Sequence, residues 1–111
     1  MIEIKTIPPF DRALKKLQKR YKSIVADYLT LLEELRQNPF AGTDLGKGVH
    51  KVRMAISAKG KGKSHGARVI TYTEAIVKID EGTLILFYIY DKADKESISE
   101  SEIRDLLEYI K

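Results

Sequence analysis

Between Ala58 and Gly66 the sequence AKGKGKSHG sets Lys59, Lys61 and Lys63 on alternate positions, separates them with Gly60 and Gly62, and follows them with His65. Arg53 precedes this stretch, Arg68 follows it, and Lys92 stands just past the apolar run LILFYIY at 84–90. Cations grouped in this way suit phosphate, because arginine offers a planar fork and lysine a point charge. Neighbouring cations also lower a lysine's pKa, and the neutral amine can then accept a proton. Two uses follow. The residues could grip a nucleic-acid backbone, or they could stabilise the phosphorane formed when a ribose 2′-hydroxyl attacks its own phosphate. That cleavage requires a base for the 2′-oxygen, an acid for the leaving 5′-oxygen and positive charge between them; it requires no metal.

Other chemistries fit less well. Gly62-Lys63-Ser64 matches the end of a phosphate-binding loop, but Ser57 occupies the first glycine position and the following residues alternate like a strand rather than opening a helix. Gly60 and Gly62 begin a dinucleotide fingerprint in which His65 replaces the third glycine. His50 and His65 are the only histidines and neither belongs to a ligand spacing, so no metal or other cofactor is expected. The absence of cysteine excludes a disulfide framework and a thiolate nucleophile. Glu100, Glu102, Asp105 and Glu108 read as the solvated face of a helix rather than paired acid-base carboxylates.

The charge is unevenly spread. Residues 41–72 carry seven Lys/Arg against one Asp/Glu, whereas residues 73–111 carry five against ten. A basic centre of this kind favours a polyanion or an acidic protein surface. The 111 residues predict a single domain, 1–111, burying about 65% of the unfolded surface. No signal peptide or membrane-length apolar run is present, which predicts a cytoplasmic location.

Positioning these residues requires a scaffold, and hydrophobic periodicity predicts one. Residues 2–6 read as a strand ended by Pro8-Pro9. Phe10, Leu14, Leu17 and Tyr21 line one helical face, with Asp11 as the expected N-cap and Arg12, Lys15, Lys16, Lys19 and Arg20 outside. Ile24, Tyr28, Leu31, Leu32 and Leu35 line a second helix, broken from the first near Lys22-Ser23 and ending before Asn38-Pro39. The pair should form an antiparallel hairpin on a sheet. Residues 40–48 read as a glycine-punctuated loop. Alternation predicts strands through Val52, Met54 and Ile56 and through Arg68–Thr73, and Glu81-Gly82 reads as a turn. Residues 84–90 read as a doubly covered central strand. Ser99 and Glu102 form a capping box for a last helix whose apolar face is Ile103, Leu106, Leu107 and Ile110. The order is β-α-α-β-β-β-α, an α+β fold.

Four pieces together, LRQNPFAGTDL, HKVRMAI, KGKGKSHGARVITY and IYDKADKESIS, resemble the RelE/ParE superfamily of toxins from type II toxin-antitoxin systems, and within it the HigB-like messenger RNA interferases. The likeness spans nearly the whole chain. It implies a small twisted antiparallel sheet with an N-terminal helical hairpin and a C-terminal helix. It also implies a ribosome-dependent endoribonuclease that cuts translated messenger RNA in the A site of the 70S ribosome. Its catalytic residues would be Arg53, Lys61, Lys63, Arg68 and Lys92, with Lys47, Lys51, Lys59 and His65 on the RNA. The glycine-lysine loop would be flexible when free and close over the messenger. Ser99 stands where RelE has a catalytic tyrosine, and Ala93 where RelE has an arginine. The implied partner is a cognate antitoxin with a helix-turn-helix domain, similar to HigA. Two alternatives share the fold: a ParE-like gyrase inhibitor without catalysis, and a degenerate toxin that binds antitoxin and ribosome without cleaving.

Overall fold

The computed structural model describes residues 2–78 and 81–110. The chain begins with strand β1 (Glu3–Thr6), followed by helices α1 (Pro8–Arg20) and α2 (Ile24–Gln37). Strands β2 (Thr43–Gly46), β3 (Val49–Met54), β4 (Ala67–Tyr72), β5 (Ile76–Lys78) and β6 (Glu81–Asp91) come next, and helix α3 (Glu100–Leu107) closes the order. The fold is α+β. Its sheet runs β1-β6-β4-β3-β2, with β5 pairing separately to β6.

Four expectations need correction. The sheet is mixed rather than antiparallel, because β1 lies parallel to β6, with Glu3 opposite Thr83 and Thr6 opposite Leu86. Two short strands join the expected four: β2 arises inside the glycine-punctuated segment, and β5 precedes β6. Glu81 and Gly82 open β6 instead of forming a turn. The N-cap also moves. Ile7 occupies it in an extended conformation, and Pro8 and Pro9 start the helix, where their missing N–H groups cost nothing. Asp11 instead lies in the first turn, where its charge complements the helix dipole.

Both faces of the sheet are covered. Phe10 and Leu17 of α1 and Ile24, Leu31 and Leu35 of α2 pack on Val52, Met54, Val69, Leu84, Leu86 and Ile89. On the other face Leu106 of α3 packs with Ile70, Phe87 and Tyr90, flanked by Ile103, Leu107 and Ile110. Strand β6 therefore lies between two apolar layers, which is why its sequence is nearly continuous in apolar residues. The Ser99 capping box forms in full, with the Ser99 side chain accepting from the Glu102 N–H and the Glu102 carboxylate accepting from the Ser99 N–H. These layers fix the ends of β3, β4 and β6, and the lysine-rich loop joins β3 to β4 over those ends.

Candidate functional site

The β3–β4 connection is anchored along its length. Residues 57–59 and 63–65 each form a single 3-10 turn, the first closed by Gly60 at φ 67°. Asp27 of α2, itself buried, accepts hydrogen bonds from the Ser57 N–H at 3.0 Å and the Ser57 hydroxyl at 2.5 Å. Ser23, the N-cap of α2, donates to Asp27 at 2.7 Å and accepts from the Ala58 N–H at 2.9 Å. On the other side, the Lys92 N–H donates to the Gly66 carbonyl at 3.1 Å. Gly66 is required by packing, since a Cβ there would sit 2.1 Å from the Met54 carbonyl oxygen. The loop expected to be flexible is thus tied to α2, β3 and β6, and its exposed tip is Gly60-Lys61-Gly62.

Beneath the tip the cavity of about 560 Å³ is lined by Tyr21 from the end of α1, Lys59, Lys61 and His65 from the loop, and Lys92 and Ala93 past the end of β6. Four of the residues expected from the sequence, Lys59, Lys61, His65 and Lys92, therefore converge. Behind this lining, Asp91, whose side chain is fully buried, joins Tyr21, Lys59 and Ala93. One oxygen accepts from Lys59 Nζ at 2.5 Å and from the Ala93 N–H at 2.9 Å; the other accepts from the Tyr21 hydroxyl at 2.5 Å. Arg20 approaches the same carboxylate at 3.3 Å and also pairs with Asp94. Burial alone would raise the Asp91 carboxyl, but the hydrogen bonds from Lys59, Tyr21 and the Ala93 N–H outweigh it and hold the group below its ordinary value. The same bond to Asp91, reinforced by burial, pushes the Tyr21 phenol up. Lys59 also donates to the His65 carbonyl at 3.0 Å, so its ammonium braces the site as well as facing it.

The other expected residues lie elsewhere. Lys63 turns away from the cavity and pairs with Glu34 of α2 at 2.7 Å. Arg68 is only 5% exposed. Its guanidinium donates to the carbonyls of Lys63, Ser64 and Ala67, each at 3.1 Å, and so supports the loop from below. Burial lowers its pKa, and Arg53, opposite it in the β3–β4 register, lowers it further. Arg53 itself is exposed, and Lys51 is half-buried two residues before it on the same side of β3, away from the cavity. Lys47 sits in the β2–β3 turn at φ 56°, at the far end of β3 and about 20 Å along the strand direction from Arg53.

Sequence reasoning missed Tyr21, Asp27 and Asp91. Tyr21 belonged to an apolar helical stripe and its hydroxyl gave no separate signal. Asp91 did carry one: an acid directly after the run of a doubly covered strand must find a partner when that strand end is buried. Chemically, the cavity offers two exposed lysines, an imidazole and a phenol, and the buried carboxylate behind them is already satisfied. That arrangement accepts an anion and holds a proton-transfer group beside it. No protein-family model matches the chain, and no curated protein matches it at a significant level.

Proposed function

We propose that the protein is a metal-independent endoribonuclease that cuts translated messenger RNA on the ribosome, the toxin of a type II toxin-antitoxin pair in the RelE/HigB-like manner. The observation that carries this reading is the convergence of Lys61, His65 and Lys92 on one cavity, while the buried acid behind its lining, Asp91, is saturated by other donors. In the proposed reaction Lys61 and Lys92 hold the scissile phosphate. The 2′-oxygen bonds to phosphorus, its proton passes to a base, the bond from phosphorus to the 5′-oxygen breaks, and an acid protonates the departing oxygen. The products are a 2′,3′-cyclic phosphate and a free 5′-hydroxyl. His65 and Lys61 are the proton-transfer candidates, because both line the cavity while Lys63 is turned to Glu34. A helix-turn-helix antitoxin would be the neutralising partner.

A second reading, binding to the ribosome without cleavage, is favoured by the commitment of Lys59 to Asp91, Lys63 to Glu34 and Arg68 to loop carbonyls. Induced expression in a bacterium, with RNA 5′ ends mapped across translated messages, separates the two. New ends in codon register that vanish in Lys61→Ala/Lys92→Ala support the nuclease. Growth arrest without new ends supports the second reading or a gyrase target.

A further inference from the structure

Strand β1 closes one side of the sheet, and among the described residues no strand pairs with its outer edge. Side chains alternate along it. Ile2 and Ile4 join the core beneath α1 and α2, and Glu3 and Lys5 therefore turn to the opposite face. The Lys5 and Glu3 side chains are 60% and 62% exposed, so α3, which covers that face over β4 and β6, leaves it open over β1. Helix α1 leads inward from the edge to pack on β6. Ile4 is only half-buried, and part of its β-branched side chain remains open to solvent. Such an edge offers a row of N–H and C=O groups to another strand. Charges on an edge discourage pairing unless the incoming strand supplies opposite ones. The stretch Glu3-Ile4-Lys5 supplies them to itself when read in reverse.

We propose that β1 is the interface of a homodimer, in which two copies of this chain pair antiparallel about a two-fold axis through Ile4. Glu3 then stands opposite Lys5 of the second copy, Lys5 stands opposite its Glu3, and the two Ile4 side chains meet on the helical face. The charges select this register. A slip of two residues sets Glu3 against Glu3 or Lys5 against Lys5. A slip of one sets Ile4 against a charge and inverts one copy, so that its helices fall on the other side of the joined sheet. Glu3 and Lys5 already pair within the chain at 3.5 Å, but so exposed a pair costs little to exchange, and in the dimer it becomes a ring of four alternating charges. The arrangement is isologous and closes at two copies, with the sheets joined through β1. It goes beyond the nuclease reading and does not depend on it.

The test is sedimentation equilibrium of the intact chain at about 0.15 M salt, where screening beyond about 8 Å suppresses repulsion between two basic proteins. One short strand makes a small interface, so the dissociation constant should be on the order of 10⁻⁴ M. Glu3→Lys and Lys5→Glu each set like charges opposite one another, and each should weaken association by about tenfold or more. The exchange Glu3→Lys/Lys5→Glu restores opposite charges and should return the constant to within about threefold of the wild type. An equimolar mixture of the two single variants should dimerise where neither does alone. Circular dichroism of each variant should match the wild type, since both side chains are exposed. A wild-type chain that stays monomeric at about 1 mM overturns the proposal. Dimerisation that neither single variant weakens overturns it too, by placing the interface elsewhere. Failure of both the exchange and the mixture to restore dimers overturns the register. No outcome involves cutting, so the dimer and the nuclease reading can fail separately.

Discussion

Lys59 Nζ lies 2.5 Å from Asp91 Oδ1, so the first lysine of the basic loop is bound to a carboxylate with no access to water. This pair joins the loop to the end of β6 and, through the second oxygen, to Tyr21 at the end of α1. One acid therefore holds three elements around the cavity. A buried carboxylate is tolerated because each oxygen is satisfied and a full opposite charge stands beside it.

The pair makes stability depend on acid. Asp91 is held below its ordinary value of 3.8 in the folded chain. The unfolded chain therefore takes up the proton first as pH falls. The stabilisation is complete above that ordinary value and is lost as pH drops through the folded one. Asp91→Asn should lower stability at pH 7 by about 2–3 kcal/mol, below the range for a wholly enclosed pair because Lys59 retains some contact with solvent. Thermal melts of both proteins from pH 7 to pH 2 check this. The gap between them should narrow below about pH 4, and a constant gap would show that Asp91 is not the titrating group.

Two glycines of the same loop should behave differently. At Gly66 the conflict is one of space, since a Cβ would strike the Met54 carbonyl at 2.1 Å and crowd the Ile56 nitrogen at 3.0 Å. Gly66→Ala must push β4 from β3 and should cost about 3 kcal/mol. Gly60 has φ 67° and open space around it, so Gly60→Ala should cost only about 1 kcal/mol from left-handed backbone strain. Urea unfolding midpoints rank the two, and the reverse order would contradict the packing at Gly66.

The helices were legible because their apolar residues recur on one side, and the core contains Phe10, Leu17, Ile24, Leu31 and Leu35 as spacing predicts. Strands β3, β4 and β6 were legible from alternation or from a continuous apolar run. Pairing was not. The parallel contact of β1 with β6 joins residues some eighty positions apart, and four residues of strand carry no signal of their partner. Strands β2 and β5 were too short to register against their glycines and turn residues. At the site, Lys59, Lys61, His65 and Lys92 meet at one cavity, whereas Arg53, Lys63 and Arg68, expected with them, lie elsewhere. What local sequence could not reveal was which cations are consumed internally. That depends on acids placed by tertiary packing: Asp91 for Lys59 and Glu34 for Lys63.

Arg68 is the sharpest case, and its burial leads to the last prediction. Alternation set it beside Ile70 and Tyr72 on one face of β4, and α3 covers that face, leaving Arg68 enclosed beneath the loop. The resemblance implied that Arg68 is a catalytic residue, so that Arg68→Ala would act through lost phosphate contact. With the guanidinium bound to the carbonyls of Lys63, Ser64 and Ala67, the substitution should instead release the loop, at a cost of about 2 kcal/mol because the two outer carbonyls can recover water. Amide hydrogen exchange at residues 63–66 should accelerate by at least tenfold, while exchange in β6 slows or quickens only with global stability. Arg68→Lys should not restore protection, since one ammonium cannot reproduce the fork that reaches both Lys63 and Ser64. Loss of activity with unchanged exchange at 63–66 would return Arg68 to the substrate phosphate. Accelerated exchange in both variants would establish it as the support on which the cavity's loop wall rests.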